Sequence, residues 1–185
     1  SPFKALLSEK AGKKFKPKNA EENEAVRAEL DGKPYIVSEI KKSIAKSHAP
    51  APFTTSTLQQ DASNKFGMTS PEVMLVAQHL YEGMDTEKEG HIALVTYIRT
   101  DSVRVSAEAQ ERARGYIAEK YGKEYVPAKP NFYKSKKDAQ DAHECIRPID
   151  ITRTPESMKG VLDKKHYNVY KLIYERFIAS QMSEA

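Results

Sequence analysis

Residues 92–98 of the chain, with the sequence IALVTYI, have the pattern of a β-strand. The run is rich in β-branched and aromatic residues, and successive side chains of a strand point to opposite faces. One mostly apolar face would then carry Ile92, Leu94, Thr96 and Ile98. The other face would carry Ala93, Val95, Tyr97 and Arg99. This pattern predicts that the phenol of Tyr97 and the guanidinium of Arg99 lie side by side, away from the more apolar face.

Apolar positions three or four residues apart predict that most of the chain after residue 50 is helical. Serine and threonine caps, prolines in first turns and terminal glycines mark where each helix begins and ends. Ser56 or Thr57 would cap the first helix, with Gln59 or Gln60 completing a capping box and Gly67 ending it. Later helices are predicted at 70–83, 106–122, 136–146 and 165–182, with a short one starting at 154–156.

The first two of these helices are joined by a short turn and followed by the predicted strand, which is the order of a helix-turn-helix or winged-helix unit. Many helix pairs in ordinary cores have the same order, so the pattern leaves DNA binding and simple packing both open. The helix that Ser106 caps would bury Tyr121 on its apolar side, and Ser135 with Asp138 would begin the next helix through a capping box. The predicted fold class is α+β and mainly α.

The first fifty residues have a different character. Short strands are predicted at 3–7 and 35–37, on either side of a helix that Asn19 caps and that ends near Leu30. This strand-helix-strand segment is too small to bury a core, so we expect it to complete a sheet whose other strands lie outside the chain. Residues 41–52, with three lysines and two prolines, are predicted to be a hinge. The predicted domains are therefore 1–50 and 51–185.

Composition narrows the class of protein. The 185 residues carry a formal net charge of +4, a mild bias toward anionic partners that an ordinary basic protein would share. No apolar run approaches ~18 residues, so no membrane span is predicted. Cys145 is the single cysteine, which excludes an internal disulfide and suits a reducing compartment. Because the chain starts without methionine and ends just after a strong helix, we expect it to be a fragment of a longer protein.

Tyr97 and Arg99 are the first candidates for chemistry. A phenol has an ordinary pKa near 10, so it needs a neighbouring cation to react at neutral pH. The planar guanidinium of arginine matches two phosphate oxygens, and the pair therefore suits phosphoryl transfer. Two plainer interpretations remain open. Tyr97 is one of ten tyrosines and could be a residue of the core or of its rim, and Arg99 could form a salt bridge with Asp101 or with another surface carboxylate.

His143 and Arg147 form a second candidate site. On the helix predicted at 136–146 they are four residues apart, so they would lie on one side and could bind a phosphate. The alternative is a half-buried histidine with no role in binding. Asp141 and Glu144 have no spacing typical of a metal site, and the sequence contains no Asp-x-Asp pair or Cys/His cluster. We therefore predict that this chain alone binds no metal.

Three segments resemble bacterial type IA DNA topoisomerases. Residues 96–102, TYIRTDS, are similar to the active-site signature of that family. Residues 51–60, APFTTSTLQQ, resemble its entry into the tyrosine-bearing domain, and residues 141–148, DAHECIRP, resemble its His-Glu-x-Ile-Arg-Pro motif. Cys145 stands where the family motif would have alanine. The similarity covers residues 51–185 strongly, whereas residues 1–50 resemble the β-rich arch domain only in pattern.

This resemblance implies that Tyr97 attacks single-stranded DNA and leaves a 5′-phosphotyrosine. Arg99 would hold the scissile phosphate, and His143 would contact the strand near the break. Asp101 would help to position the strand, and the helical spacing described above would add Arg147 to the DNA-binding residues. Resealing would need no ATP, and the full-length enzyme would relax negative supercoils.

The resemblance also implies what the chain works with. The family's Mg²⁺-binding Toprim domain has no counterpart in this sequence, so the fragment is expected to be inactive alone. Its partners would be single-stranded DNA and the remaining domains of the same polypeptide, in a monomeric enzyme of the bacterial cytoplasm associated with the nucleoid. The alternatives are a winged-helix DNA-binding module without chemistry and a basic structural domain.

Overall fold

A computed structural model describes residues 4–43, 47–86, 90–134 and 143–184. The chain divides into two compact units, Ser1–Ile44 and Ala45–Ala185. In the first unit, β1 (Glu9–Lys10) and β2 (Lys13–Lys14) form a small antiparallel hairpin, and α1 (Ala20–Leu30) follows. Asn19 caps α1 as predicted, because its side chain accepts a 2.8 Å hydrogen bond from the backbone N–H of Glu22.

The two strands predicted in the first unit are wrong. Residues 4–7 lie outside any strand, and the hairpin forms instead at the lysine-rich turn that follows them. Residues 35–37 form no strand among the described residues, and Ile36 is 83% exposed. A strand needs a hydrogen-bonded neighbour, and the described part of this unit provides none for residues 35–37.

The second unit is built from helices, with one short ribbon of two strands. Its elements are α2 (Thr55–Phe66), α3 (Ser70–Glu82), β3 (Met84–Thr86), β4 (Gly90–Ile92), α4 (Ala107–Lys120) and α5 (Lys164–Ser180), with 3₁₀ turns at Lys123–Tyr125 and Glu156–Met158. β3 and β4 pair antiparallel, with Met84 opposite Ile92. The prediction of an α+β fold that is mainly α is confirmed. No helix that the structure describes is long and apolar enough to cross a membrane.

The core of the second unit lies around α5. This helix was predicted within two residues at each end, and its apolar side packs against α2 and α3. Its side chains Tyr170, Ile173 and Phe177 are almost completely buried. Tyr121, predicted to be buried on α4, is instead 42% exposed because α4 ends at Lys120, one residue before it.

The helices α2 and α3 each begin earlier than predicted, since the sequence favours Ser56 or Thr57 as the cap of α2 and Ser70 as the cap of α3. The N-cap of α2 is Thr54, and Thr57 completes its capping box, so neither Gln59 nor Gln60 takes part. The first helical residue of α3 is Ser70, and Thr69 is its N-cap. Adjacent threonines and serines stand before both helices, so the sequence offers more than one possible N-cap for each. The N-cap is the threonine that hydrogen-bonds with the third residue of the helix.

The helix predicted at 136–146 is wrong where the structure describes it. Residues 143–146 are not helical, and Ile146 forms an antiparallel bridge with Phe53. The rest of that prediction, including the capping box of Ser135 and Asp138, lies outside the described residues. Extended backbone at Ile146 is favoured here because its N–H donates a 2.8 Å hydrogen bond to the carbonyl of Phe53, a partner ninety-three residues away.

Candidate active site

In the segment that carries Tyr97, the predicted continuous strand over 92–98 is wrong. β4 ends at Ile92, Val95 forms an isolated bridge with Pro148, and Ile98 and Arg99 lie in a bend. Val95 is fully buried, although the alternation had placed it on the face of Tyr97. From Thr96 onward the alternation holds: Ile98 and Thr100 are buried, whereas Tyr97 and Arg99 are exposed.

On its N-terminal side, this segment is fixed to residues 145–149. The backbone N–H of Thr96 donates to the carbonyl of Arg147 at 2.9 Å, and the N–H of Ile149 donates to the carbonyl of Leu94 at 3.1 Å. The Thr96 hydroxyl donates to the carbonyl of Cys145 at 2.8 Å and accepts from the N–H of Arg147 at 3.0 Å. The residue before Tyr97 is therefore held by its backbone and by its side chain.

On its C-terminal side, the segment is fixed to the first turn of α2. The N–H of Thr55 donates to the carbonyl of Thr100 at 2.9 Å, and its hydroxyl donates to the carbonyl of Ile98 at 2.7 Å. The same hydroxyl accepts from the N–H of Thr100 at 2.9 Å. Tyr97 and Arg99 thus project from a short stretch of backbone whose two ends are anchored to different parts of the fold.

Two aromatic rings flank Tyr97. The ring of Tyr81, near the end of α3, meets it edge to face with centroids 5.5 Å apart, and the ring of His143 lies 6.1 Å away. Tyr97 itself is 44% exposed, so its phenol is accessible to a large substrate. The alternative that Tyr97 belongs to the core is therefore wrong, whereas a position at the rim of the core agrees with this exposure. Tyr81 is not among the site residues predicted from the sequence. Its position at the end of the helix that precedes the tyrosine segment was the available signal.

Arg99 follows Tyr97 by two residues and is exposed to solvent. Within the part of the chain that the structure describes, its guanidinium forms no ion pair, so the predicted alternative of a salt bridge with Asp101 is wrong. Asp101 is also exposed on this surface. A guanidinium without a protein carboxylate keeps its donors available for an anionic ligand.

His143 and Arg147 do not form the joint helical patch that was predicted. His143 is half-buried beside Tyr97, whereas the guanidinium of Arg147 donates two hydrogen bonds of 2.8 and 3.0 Å to a carboxylate oxygen of Glu144. The carbonyl of His143 also lies 3.5 Å from Nε of Arg104, an exposed cation that the sequence reasoning missed. The structure therefore brings His143 to Tyr97 and leaves Arg147 engaged with its neighbour.

Behind the tyrosine segment there is a cleft of about 550 Å³. It is lined by Thr96, by Arg147 and by residues of α4 from Glu108 to Glu119, so it lies along the side of the segment that carries Thr96. Burial raises the pKa of the nearby Cys145 thiol to about 12, which makes this cysteine an inert packing residue.

The described residues contain no group of three or more histidine, cysteine, aspartate or glutamate side chains that could hold a metal ion. The Mg²⁺ that the resemblance implies would be bound by the Toprim domain, which has no counterpart in this sequence.

Comparison with known proteins gives consistent matches. The family model described as DNA topoisomerase matches residues 3–185. DNA topoisomerase 1 of Fervidobacterium islandicum is 47% identical over 188 aligned positions, which cover 99% of this chain and 27% of that protein. The structure of full-length topoisomerase I from Thermotoga maritima matches with a TM-score of 0.72 and 41% identity, over 95% of this chain and 27% of the other. The chain thus spans about a quarter of the length of both relatives.

Proposed function

Because this chain belongs to the family of bacterial type IA DNA topoisomerases, we propose that Tyr97 is the nucleophile with which the intact enzyme cleaves one strand of DNA. The phenol oxygen attacks the phosphorus of a phosphodiester, loses its proton to a base, and becomes joined to the 5′ phosphate of the downstream fragment. The bond from phosphorus to the 3′ oxygen breaks, and that oxygen takes up a proton. Reversal of these steps reseals the strand, so no ATP is consumed.

The observation that carries this proposal is the placement of the Tyr97 phenol. It is exposed two residues before Arg99, which is also exposed and has no carboxylate partner among the described residues, on backbone that Thr55 and Thr96 anchor at both ends. Cleavage requires the nucleophile to be in line with the leaving oxygen, and an anchored backbone limits the number of positions that the phenol can adopt.

The neighbouring residues have separate roles in this proposal. Arg99 binds the oxygens of the scissile phosphate and stabilises the charge that develops on them during attack. His143 contacts the same strand beside the break, and Asp101 helps to position the strand. Arg147 is a weaker DNA contact than Arg99, because Glu144 already accepts two hydrogen bonds from its guanidinium.

We further propose that α2, α3 and the ribbon of β3 and β4 act as a winged-helix-like unit on DNA. The helices α2 and α3 pack against each other, and the ribbon follows directly, which supports this interpretation. Tyr97 follows the second strand of the ribbon by five residues, so a strand bound to this unit would reach the nucleophile.

The rest of the polypeptide completes the enzyme in this account. We propose that Mg²⁺ is bound by a Toprim domain outside this chain, and that residues 1–50 belong to an arch on which the tyrosine domain lifts to pass a strand. Residues 41–52 would serve as its hinge. The exposed apolar side chains of Tyr35, Ile36 and Val37 support this role, because a neighbouring sheet would cover them. The intact enzyme would act as a monomer in the bacterial cytoplasm, with the nucleoid, and would relax negative supercoils.

The polarity of the covalent bond tests the proposed function. Intact enzyme is incubated with Mg²⁺ and single-stranded oligonucleotides labelled at either end, and the reaction is stopped with denaturant. A label at the 3′ end should stay with the protein, whereas a label at the 5′ end should appear on a shorter, free fragment. The opposite distribution contradicts attachment to a 5′ phosphate. Oligonucleotide binding without any adduct would favour a winged-helix module that lacks chemistry.

A further inference from the structure

Thr55 is the first helical residue of α2, yet its hydrogen bonds leave the helix. The first N–H groups of a helix have no partner within it. The N–H of Thr55 donates instead to the carbonyl of Thr100, forty-five residues further along the chain. The helix cap is formed by Thr54 and Thr57, so the Thr55 hydroxyl is not needed for capping.

The hydroxyl of Thr55 bridges the two residues that flank Arg99. It donates to the carbonyl of Ile98 at 2.7 Å and accepts from the N–H of Thr100 at 2.9 Å. One side chain therefore takes the place of a neighbouring strand for this stretch of backbone. A continuous strand would satisfy these groups through a ladder of backbone hydrogen bonds, which the structure does not form at this position.

From this geometry we propose that Thr55 is a positioning residue for the cleavage reaction, fixing the backbone that aims Tyr97 and Arg99 at the phosphate. The inference rests on the proposed function of Tyr97 and extends it to a residue that acts through the backbone of Ile98 and Thr100. Leu58 and Ala62 of α2 are fully buried and fix this helix to the core. The hydrogen bonds of Thr55 therefore hold the backbone around Arg99 in a fixed position relative to the core.

The substitutions Thr55→Val and Thr55→Ser separate the hydroxyl from the shape of the side chain. Valine is nearly isosteric but leaves the carbonyl of Ile98 and the N–H of Thr100 without this partner, whereas serine keeps a hydroxyl. In the intact enzyme, Thr55→Val should slow single-turnover cleavage by about 10- to 100-fold, because a displacement of about 1 Å costs a rate factor of that order. Thr55→Ser should recover most of the rate. The dissociation constant for single-stranded oligonucleotide should change little in either variant.

Thr57→Val is the matched control. Thr57 lies in the same first turn and accepts the N–H of Thr54 at 2.9 Å, but none of its hydrogen bonds reaches the tyrosine segment. This variant should lower the stability of α2 while leaving the cleavage rate close to that of the wild type. Equal losses of rate in Thr55→Val and Thr57→Val would reduce the role of Thr55 to general stability and overturn the proposal.

A measurement independent of activity separates this proposal from the proposed function. Amide hydrogen exchange in this chain should show faster exchange at the N–H of Thr100 in Thr55→Val than in the wild type, with little change in Thr57→Val. If Thr100 exchanges equally in all three, Thr55 does not anchor the segment. If wild-type and variant enzymes all form no adduct but the N–H of Thr100 still exchanges faster in Thr55→Val, the proposed function fails. The structural role of Thr55 in fixing the segment would then stand without it.

Discussion

The hydroxyl of Thr96 donates a 2.8 Å hydrogen bond to the backbone carbonyl of Cys145, which joins the residue before Tyr97 to the segment that ends in Arg147. The same hydroxyl accepts a 3.0 Å hydrogen bond from the N–H of Arg147. Two motifs that are almost fifty residues apart therefore share one side chain, and the position of His143 beside Tyr97 follows from this connection.

Replacing Thr96 with valine should destabilise the second unit. The substitution leaves a partly buried carbonyl and N–H without their partner, which costs on the order of 1–3 kcal/mol of unfolding free energy. Thr96→Ser should lose less unfolding free energy, because serine keeps the hydroxyl. Urea denaturation of the chain, followed by circular dichroism, measures the unfolding free energy of both variants. Equal unfolding free energies for Thr96→Val and wild type would show that the hydroxyl makes no net contribution to stability.

Arg99→Ala in the intact enzyme should lower the rate of DNA cleavage by about 10²- to 10³-fold, as for the loss of one donor to a developing oxyanion. Arg99→Lys should recover only part of this loss, since an ammonium lacks the planar fork that matches two phosphate oxygens. Single-turnover adduct formation measures the rate. Arg112→Ala removes an exposed guanidinium that Glu108 already binds, and it should remain near the wild-type rate. A near-normal rate for Arg99→Ala would exclude it as a phosphate ligand.

Phe53→Ala should be among the most damaging substitutions in the second unit. The ring is fully buried, and the guanidinium of Arg176 lies 4.4 Å from its centroid. Removal of a buried aromatic ring costs about 3–5 kcal/mol of unfolding free energy. Phe132→Ala is the control, because Phe132 is 85% exposed and its loss should change stability by less than about 0.5 kcal/mol. Denaturation with guanidinium chloride measures the unfolding free energy of both variants. A similarly small loss of unfolding free energy in both would mean that Phe53 is not packed as described.

The hydrogen-bonded carboxylate of Glu72, at the start of α3, should make the free energy of unfolding depend on pH. The Glu72 carboxylate accepts hydrogen bonds from the backbone N–H and the hydroxyl of Thr69, both 2.9 Å, and one from Lys165. These bonds, the backbone one first, lower the pKa of Glu72 from 4.5 to about 2. Its contribution to stability is therefore complete above pH 4.5 and is lost as the pH falls toward 2.

Glu72→Gln should accordingly reduce the unfolding free energy at pH 7, and the difference from wild type should shrink below pH 4.5. Urea denaturation at a series of pH values measures this difference. The control Glu111→Gln, at an exposed position of α4, should show no such dependence. A difference for Glu72→Gln that is constant from pH 7 to about 3 would contradict the role of the Thr69 hydrogen bonds.

The helices of the second unit could be predicted closely because their caps and apolar spacing are local signals. The ends of α5 and the terminal glycine of α2 follow directly from those signals. The shared exposure of Tyr97 and Arg99 also follows from local alternation.

The remaining features depend on partners that are distant in the chain. Val95 belongs to the buried core and pairs through its backbone with Pro148, and no periodicity near position 95 reveals that contact. Ile146 is extended because its partner is Phe53, although its apolar spacing favours a helix. The roles of Arg99, Asp101, His143 and Arg147 on DNA stay predictions.

The central claim is that Tyr97 forms the covalent bond to DNA. Intact enzyme with Mg²⁺ and single-stranded oligonucleotide is denatured and digested, and the peptide that retains nucleotide is identified by mass spectrometry, for wild type and for Tyr97→Phe. Tyr97→Phe removes only the phenol oxygen, so it should bind the oligonucleotide normally and form no adduct. The wild-type adduct should map to the peptide that contains Tyr97. An equal yield of adduct from Tyr97→Phe, or a wild-type adduct on a different residue, would contradict the account.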